Sequence, residues 1–169
     1  MVFLDESGAK TNTTRLRGRA LRGERVYDRA PGGHWRTTTM IASLRLNGKS
    51  ACMTLEGATT TDVFQAYVRA VLLPTLKRGD VVVLDNLSAH KHPETLAFIE
   101  EVGAQVRFLP AYSPDFNPIE QMWSKVKAWL RSAKARTQAT LWQAIADALA
   151  AVTPEDAQGW FASCGYSIY

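Results

Sequence analysis

The sequence is poor in cysteine and has no long apolar run, and each shortage removes a class of protein. Only Cys52 and Cys164 occur in 169 residues, far apart. That count excludes a disulfide scaffold, and the separation excludes a cysteine-based zinc module, leaving two reduced thiols. No apolar stretch approaches the ~20 residues that a membrane helix needs, so no membrane partner is expected. The first residues show no basic region followed by a signal-type apolar stretch and cleavage site, which predicts a cytoplasmic protein. Internal repeats, low-complexity tracts and interdomain linkers are missing too. One domain over residues 1–169 is therefore expected, long enough to bury a core without staples.

Charge is present but unevenly placed. The chain carries a net +4, yet Lys10, Arg15, Arg17, Arg19, Arg22, Arg25, Arg29 and Arg36 outweigh Glu24 and Asp28 by +6 in one segment. A second basic cluster holds Lys125, Lys127, Arg131, Lys134 and Arg136. Such patches suit a polyanion partner. Either one alone is equally well read as a solvated face. Gly18, Gly23, Gly32 and Gly33 interrupt the first segment, which predicts a flexible arm whose ordering follows phosphate binding.

Periodicity outlines the rest. An apolar strand, Met1-Val2-Phe3-Leu4, ends at Asp5. Strands over 38–46 and 50–56 flank Asn47-Gly48, a strong hairpin signal. A helix capped by Thr60 or Thr61 follows, with Pro74 near its end. Then come a buried strand over 81–85, a helix over 93–101, a strand over 105–109, and helices over 118–134, 138–151 and 154–162. This order predicts an α/β fold with a five-stranded mixed sheet: three antiparallel strands, then two parallel ones joined by crossover helices. If the first strand lies beside 81–85 in parallel, Asp5 and Asp85 emerge side by side at the edge where such sheets bind ligands.

Three acids carry the chemistry. Asp5 and Asp85 each follow an apolar run, and Glu120 opens a helix with 34 residues between it and Asp85. Oxygen ligands so placed suit Mg²⁺, and two such ions about 4 Å apart activate the attacking and stabilise the leaving oxygen of a phosphodiester. Other readings stay open at each position. Asp5 and Asp85 are also turn formers, and Asp5 is also a candidate phosphatase nucleophile, although Ser7 stands where a second acid is wanted. Asn117-x-x-Glu120 reads equally as a capping box. His90, His92 and Lys91 are either accessory to phosphate chemistry or loop decoration. Of the tryptophans, Trp123, Trp129 and Trp142 fall on apolar helical faces and are expected in the core, while Trp35 is a candidate base or sugar contact.

Three strings, Phe3-Leu4-Asp5-Glu6-Ser7-Gly8, Leu84-Asp85-Asn86-Leu87-Ser88-Ala89-His90-Lys91 and the run from Leu109 to Glu120, resemble the Tc/mariner superfamily of transposases, most closely its bacterial insertion-sequence branch. Gly18-Arg19-Ala20 is also similar to that branch. The resemblance implies one RNase H-like domain with Asp5, Asp85 and Glu120 as catalytic acids holding two Mg²⁺ ions, with Mn²⁺ as substitute. It implies DNA cleavage followed by strand transfer, a homodimer in the DNA complex, and a bacterial, nucleoid-associated protein. Arg15, Arg17, Arg19, Arg22, Arg25, Lys125 and Lys127 are the expected DNA contacts, with His90, Lys91 and Asn117 as accessory candidates. Members of the superfamily also carry helix-turn-helix domains before the catalytic part. None is seen before Asp5, so the chain looks like a catalytic half, either a second reading frame with a separate helix-turn-helix chain as partner or a truncated copy. A catalytically silent DNA-binding remnant is the alternative.

Overall fold

The protein is seen in a computed structural model that describes residues 1–15, 17–27, 29, 32 and 35–167. Its strands are β1 (Val2–Lys10), β2 (Thr37–Arg45), β3 (Ser50–Glu56), β4 (Val81–Leu84) and β5 (Gln105–Phe108). Its helices are α1 (Thr61–Tyr67), α2 (Pro93–Glu101), α3 (Pro118–Ala133), α4 (Gln138–Ala150) and α5 (Pro154–Ser163). The sheet order is β3-β2-β1-β4-β5. β1, β2 and β3 pair antiparallel, and β4 runs parallel to both β1 and β5. That is the expected mixed sheet.

Strand alternation sorts the apolar residues onto two faces. Phe3, Met40, Ala42, Leu44 and Val83 meet α3, α4 and α5 through Trp123, Val126, Ile145 and Phe161. On the other face Val2, Leu4, Ile41, Val82 and Leu84 meet Phe64, Tyr67, Leu72 and Ile99. Two layers of helix thus cover one sheet. Among the described residues no helix is long and apolar enough to cross a membrane.

Local chemistry sets the boundaries. The Thr60 hydroxyl accepts the Val63 amide and starts α1, which runs on into a π-helical turn, Val68–Leu72. Pro74 has no amide hydrogen with which to continue it. Gly48 closes the β2–β3 hairpin at φ +76, where a side chain would also strike the Thr153 carbonyl at 2.8 Å. Arg45 grips Asp80 with two bonds of 3.0 and 2.7 Å and the Thr75 carbonyl with a third, which ties β2 to the approach of β4.

Two expectations need correction. β1 does not end at Asp5 but pairs with β2 as far as Lys10 opposite Thr37, because the hydrogen-bond ladder outlasts the apolar run. Of the three helical tryptophans only Trp123 is buried, while Trp129 and Trp142 are 44% and 41% exposed. The apolar stripe on α3 and α4 is wide enough for its edge residues to meet solvent. Between β1 and β2 the chain leaves the sheet through a neck, where Thr11 and Arg36 exchange two hydrogen bonds of 3.2 Å. Part of the expected flexible arm, Leu16, Asp28, Ala30, Pro31, Gly33 and His34, lies outside the described residues.

Candidate active site

The register of the two central strands sets the site. Val2 pairs with Val82 and Phe3 with Val83, and the same offset carries Asp5 to the level of Asp85, just past the end of β4. Asp5 is thus mid-strand in its own element yet at the C-terminal edge of its neighbour. Its carboxyl is buried at 8% exposure, accepts the Glu6 amide at 2.7 Å and receives the Asn117 side-chain amide at 3.4 Å. Burial pushes its pKa up from 3.8 to about 7, the Glu6 amide opposes this, and the charges of Glu120, Glu6 and Asp85 add to the rise.

Asp85 sits in the opposite electrostatic situation. Its carboxyl is held below the usual range, first by His90, with burial opposing and the Leu87 amide helping. The Leu87 amide donates to Oδ1 at 2.8 Å, and Nδ1 of His90 lies 2.6 Å from the same oxygen, at ion-pair distance but without hydrogen-bond alignment. His90 is entirely buried in the turn Ser88–Lys91, against the Phe64 ring at 4.3 Å. Its Nε2 meets Oε1 of Glu6 at 2.8 Å. Burial alone would lower its pKa, yet the carboxylates of Asp85 and Glu6 outweigh that and hold it at about 9.

Glu120 arrives from the other side of an open cleft of about 370 Å³, lined by Asp85, Asn86, Pro110, Tyr112, Asn117 and Glu120 among others. Asn86 bridges to the Leu109 carbonyl at 2.6 Å, which holds the loops after β4 and β5 together. The turn Pro114–Phe116 is pinned by Tyr166, whose hydroxyl donates to the Phe116 carbonyl at 2.8 Å. The capping box suggested by Asn117-x-x-Glu120 is not formed. The Asn117 side chain makes no cap bond and turns to Asp5, leaving its own oxygen buried without a partner. The helix start therefore serves the acid on β1 and not its own amides.

Asp85 and Glu120 line the cleft, with Asp5 directly behind Asn117. Among the described residues no group of three or more His, Cys, Asp or Glu is closed into a ready-made metal cluster. The donor chemistry nevertheless suits a hard divalent cation. The acids are oxygen ligands, and their mutual repulsion at a buried Asp5 is what a bound cation relieves.

The basic candidates divide. Arg15, Arg17, Arg19, Arg22 and Arg25 stand exposed in the arm. Lys127 lines a groove of about 210 Å³ with Lys10 and Arg131. Lys125 does not join them, for its ammonium donates to the Ala151 carbonyl at 2.8 Å and is ion-paired with Asp156. It ties α3 to the start of α5, so its charge is committed inside the protein. Lys91 lies 5.9 Å over the exposed Phe108 ring. Glu6 was missed in the sequence because it stands next to a more conspicuous acid. An ionisable residue on the opposite face of the same strand was the signal for it.

The model of the DDE superfamily endonuclease family matches residues 1–142. No curated protein matches in sequence. The fold is similar to that in the strand transfer complex of Mos1, with TM-score 0.55 and 20% identity, covering 99% of this chain and 55% of the other. The mariner Mos1 paired end complex with Mg gives TM-score 0.56 and 18% identity over 99% of this chain and 56% of that one. The catalytic core domain of BIV integrase gives TM-score 0.53 and 15% identity over 70% and 84%. These likenesses identify the sheet and helices as the RNase H-like fold of transposase and integrase cores. The chain spans about 55% of the length of the Mos1 protein.

Proposed function

This chain belongs to the DDE superfamily of endonucleases, and from that membership we propose that it is the catalytic domain of a cut-and-paste DNA transposase of the Tc/mariner kind, in its bacterial insertion-sequence branch. The observation that carries the reading is the register that sets Asp5 level with Asp85 on adjacent parallel strands, with the Asn117–Glu120 helix start closing over them.

Asp5, Asp85 and Glu120 are the acids that would hold two divalent ions, Mg²⁺ or Mn²⁺ in its place. When bound, such ions activate the attacking oxygen and stabilise charge on the leaving one. The protein's own residues supply placement. Asn117, in the cleft lining, donates to the Asp5 carboxyl and fixes it, and the Asn86–Leu109 bond keeps the cleft walls in register. Lys10, Lys127, Arg131 and the arginines of the arm bind DNA phosphates, which positions the duplex without reading its sequence.

In the first step water attacks a phosphodiester at the element's end. A bond forms from the water oxygen to phosphorus, the bond to the 3′ oxygen breaks, and the proton lost by water is replaced by one taken up on that 3′ oxygen from solvent, which leaves a 5′-phosphate and a free 3′-OH. In the second step that 3′-OH attacks a phosphodiester of target DNA, and the displaced strand leaves with its own 3′-OH. No covalent enzyme intermediate is needed. A homodimer holding two DNA ends and a separate helix-turn-helix chain that recognises them complete the proposal, with the cytoplasm as its place of action.

Labelled duplex DNA incubated with the chain and Mn²⁺ tests this. Nicked products, and products joined to a second duplex, support a transposase. Metal-dependent binding without cutting favours a catalytically silent DNA-binding remnant.

A further inference from the structure

Resting on that reading of the site, we propose that Glu6 and His90 are positioning residues of the same centre, holding the Asp85 carboxylate in the orientation in which it meets the cation. The three side chains form a continuous line. Nε2 of His90 is 2.8 Å from Glu6 Oε1 and Nδ1 is 2.6 Å from Asp85 Oδ1. Imidazole is the side chain with two ring nitrogens that reach two carboxylates at once. The ring itself cannot move freely. It is wholly buried, lies 4.3 Å from Phe64, and its backbone amide donates to the Leu87 carbonyl at 3.0 Å.

The topology explains why two residues are needed. Asp5 and Glu6 are consecutive on β1 and so face opposite sides of the sheet. Phe3, on the Asp5 side, joins the core under α3, and Leu4, on the Glu6 side, joins the core under Phe64. Asp5 therefore approaches the cleft from one face, while Glu6 reaches Asp85 from the other face through His90. Both His90 and the Leu87 amide press on Oδ1 of Asp85, which sets the rotation of the carboxyl. A histidine buried only for packing is usually satisfied by backbone or water. Here each nitrogen faces a carboxylate, and the one on Asp85 belongs to a side chain still 44% exposed to the cleft.

Partners of this kind change metal affinity ~10–100-fold when removed. The test is Mn²⁺ binding to the full chain, read from the paramagnetic resonance of free Mn²⁺, for wild type, Glu6→Gln, His90→Gln and the double variant, with circular dichroism to confirm folding. Each single variant should weaken Mn²⁺ binding by ~10-fold or more. The double should bind no worse than His90→Gln, because Glu6 acts only through the ring. Wild-type affinity in folded single variants that merely melt earlier would show a strut between β1 and the turn, and would overturn the proposal. Additive weakening in the double would overturn it too. If His90→Gln fails to fold, Glu6→Gln decides alone, since glutamine keeps the acceptor and nearly the same shape. Asp85→Asn separates the two levels. Unchanged binding there overturns the metal reading and this inference together, whereas loss there with wild-type binding in Glu6→Gln overturns this inference alone.

Discussion

Replacing Asp5 with asparagine should stabilise the metal-free protein at neutral and alkaline pH while removing its activity. The Asp5 carboxyl is buried at 8% exposure and its pKa stands at about 7 instead of 3.8, chiefly through burial. It therefore holds its proton more tightly in the fold than in the unfolded chain. The associated stability is complete below 3.8 and is lost as pH rises to about 7, where the fold must bury a charge. A rise of this size corresponds to about 4 kcal/mol at most, and relaxation of the side chain leaves an expected 2–4 kcal/mol, roughly. Asparagine carries no charge to bury. It still accepts the Glu6 amide, and once the Asn117 amide rotates, its new NH₂ donates to the Asn117 oxygen that is unpartnered in the wild type. Thermal melts of metal-free wild type and Asp5→Asn across pH 4–8 provide the assay. The two should coincide near pH 4 and diverge by about 5–10 °C at pH 8, on the usual scaling for a domain of this size. Mn²⁺ should then raise the wild-type melting temperature and leave the variant unmoved. A variant less stable than wild type at pH 8, or a gap that does not change with pH, would show that Asp5 buries no costly charge.

Lys125→Ala should cost about 1–2 kcal/mol of stability in denaturant titration, because it strands the Ala151 carbonyl and Asp156, while DNA affinity stays within about twofold. The triple change of Arg17, Arg19 and Arg22 to Ala should do the reverse. DNA binding should weaken, and the slope of log affinity against log salt should become shallower by about 3 if each arginine neutralises one phosphate, with thermal stability nearly unchanged. Asn117→Ala should leave the helicity of α3 intact by circular dichroism, since its side chain caps nothing, and should weaken Mn²⁺ binding because Asp5 loses its donor.

Motif spacing singled out Asp5, Asp85 and Glu120, and periodicity located the strands and helices that carry them and bring Asp5 level with Asp85 beside the cleft that Glu120 lines. What stayed hidden were contacts between residues far apart in sequence. Ser88-Ala89-His90-Lys91 reads as a polar loop, and only the fold shows that Phe64 roofs His90 and that Glu6 lies within reach. Lys125 looks like any solvent-facing lysine on a basic helix, and its partner Asp156 is 31 residues away. The Asn117-x-x-Glu120 pattern satisfied a local rule that the structure does not use, because the side chain is turned so that its NH₂ donates to Asp5, and its oxygen is then not presented to the helix-end amides. Trp129 and Trp142 failed for a geometric reason: periodicity assigns a residue to a stripe but not to its centre or margin.

In the proposed function Asp5, Asp85 and Glu120 are ligands of one divalent-metal centre. Anomalous diffraction from a crystal of the chain soaked in Mn²⁺ tests it most directly. Two peaks bounded by these three carboxylates, both absent from crystals of Asp85→Asn, are the expected result. Mn²⁺ bound elsewhere, or bound at this cleft equally well in the variant, would contradict the claim.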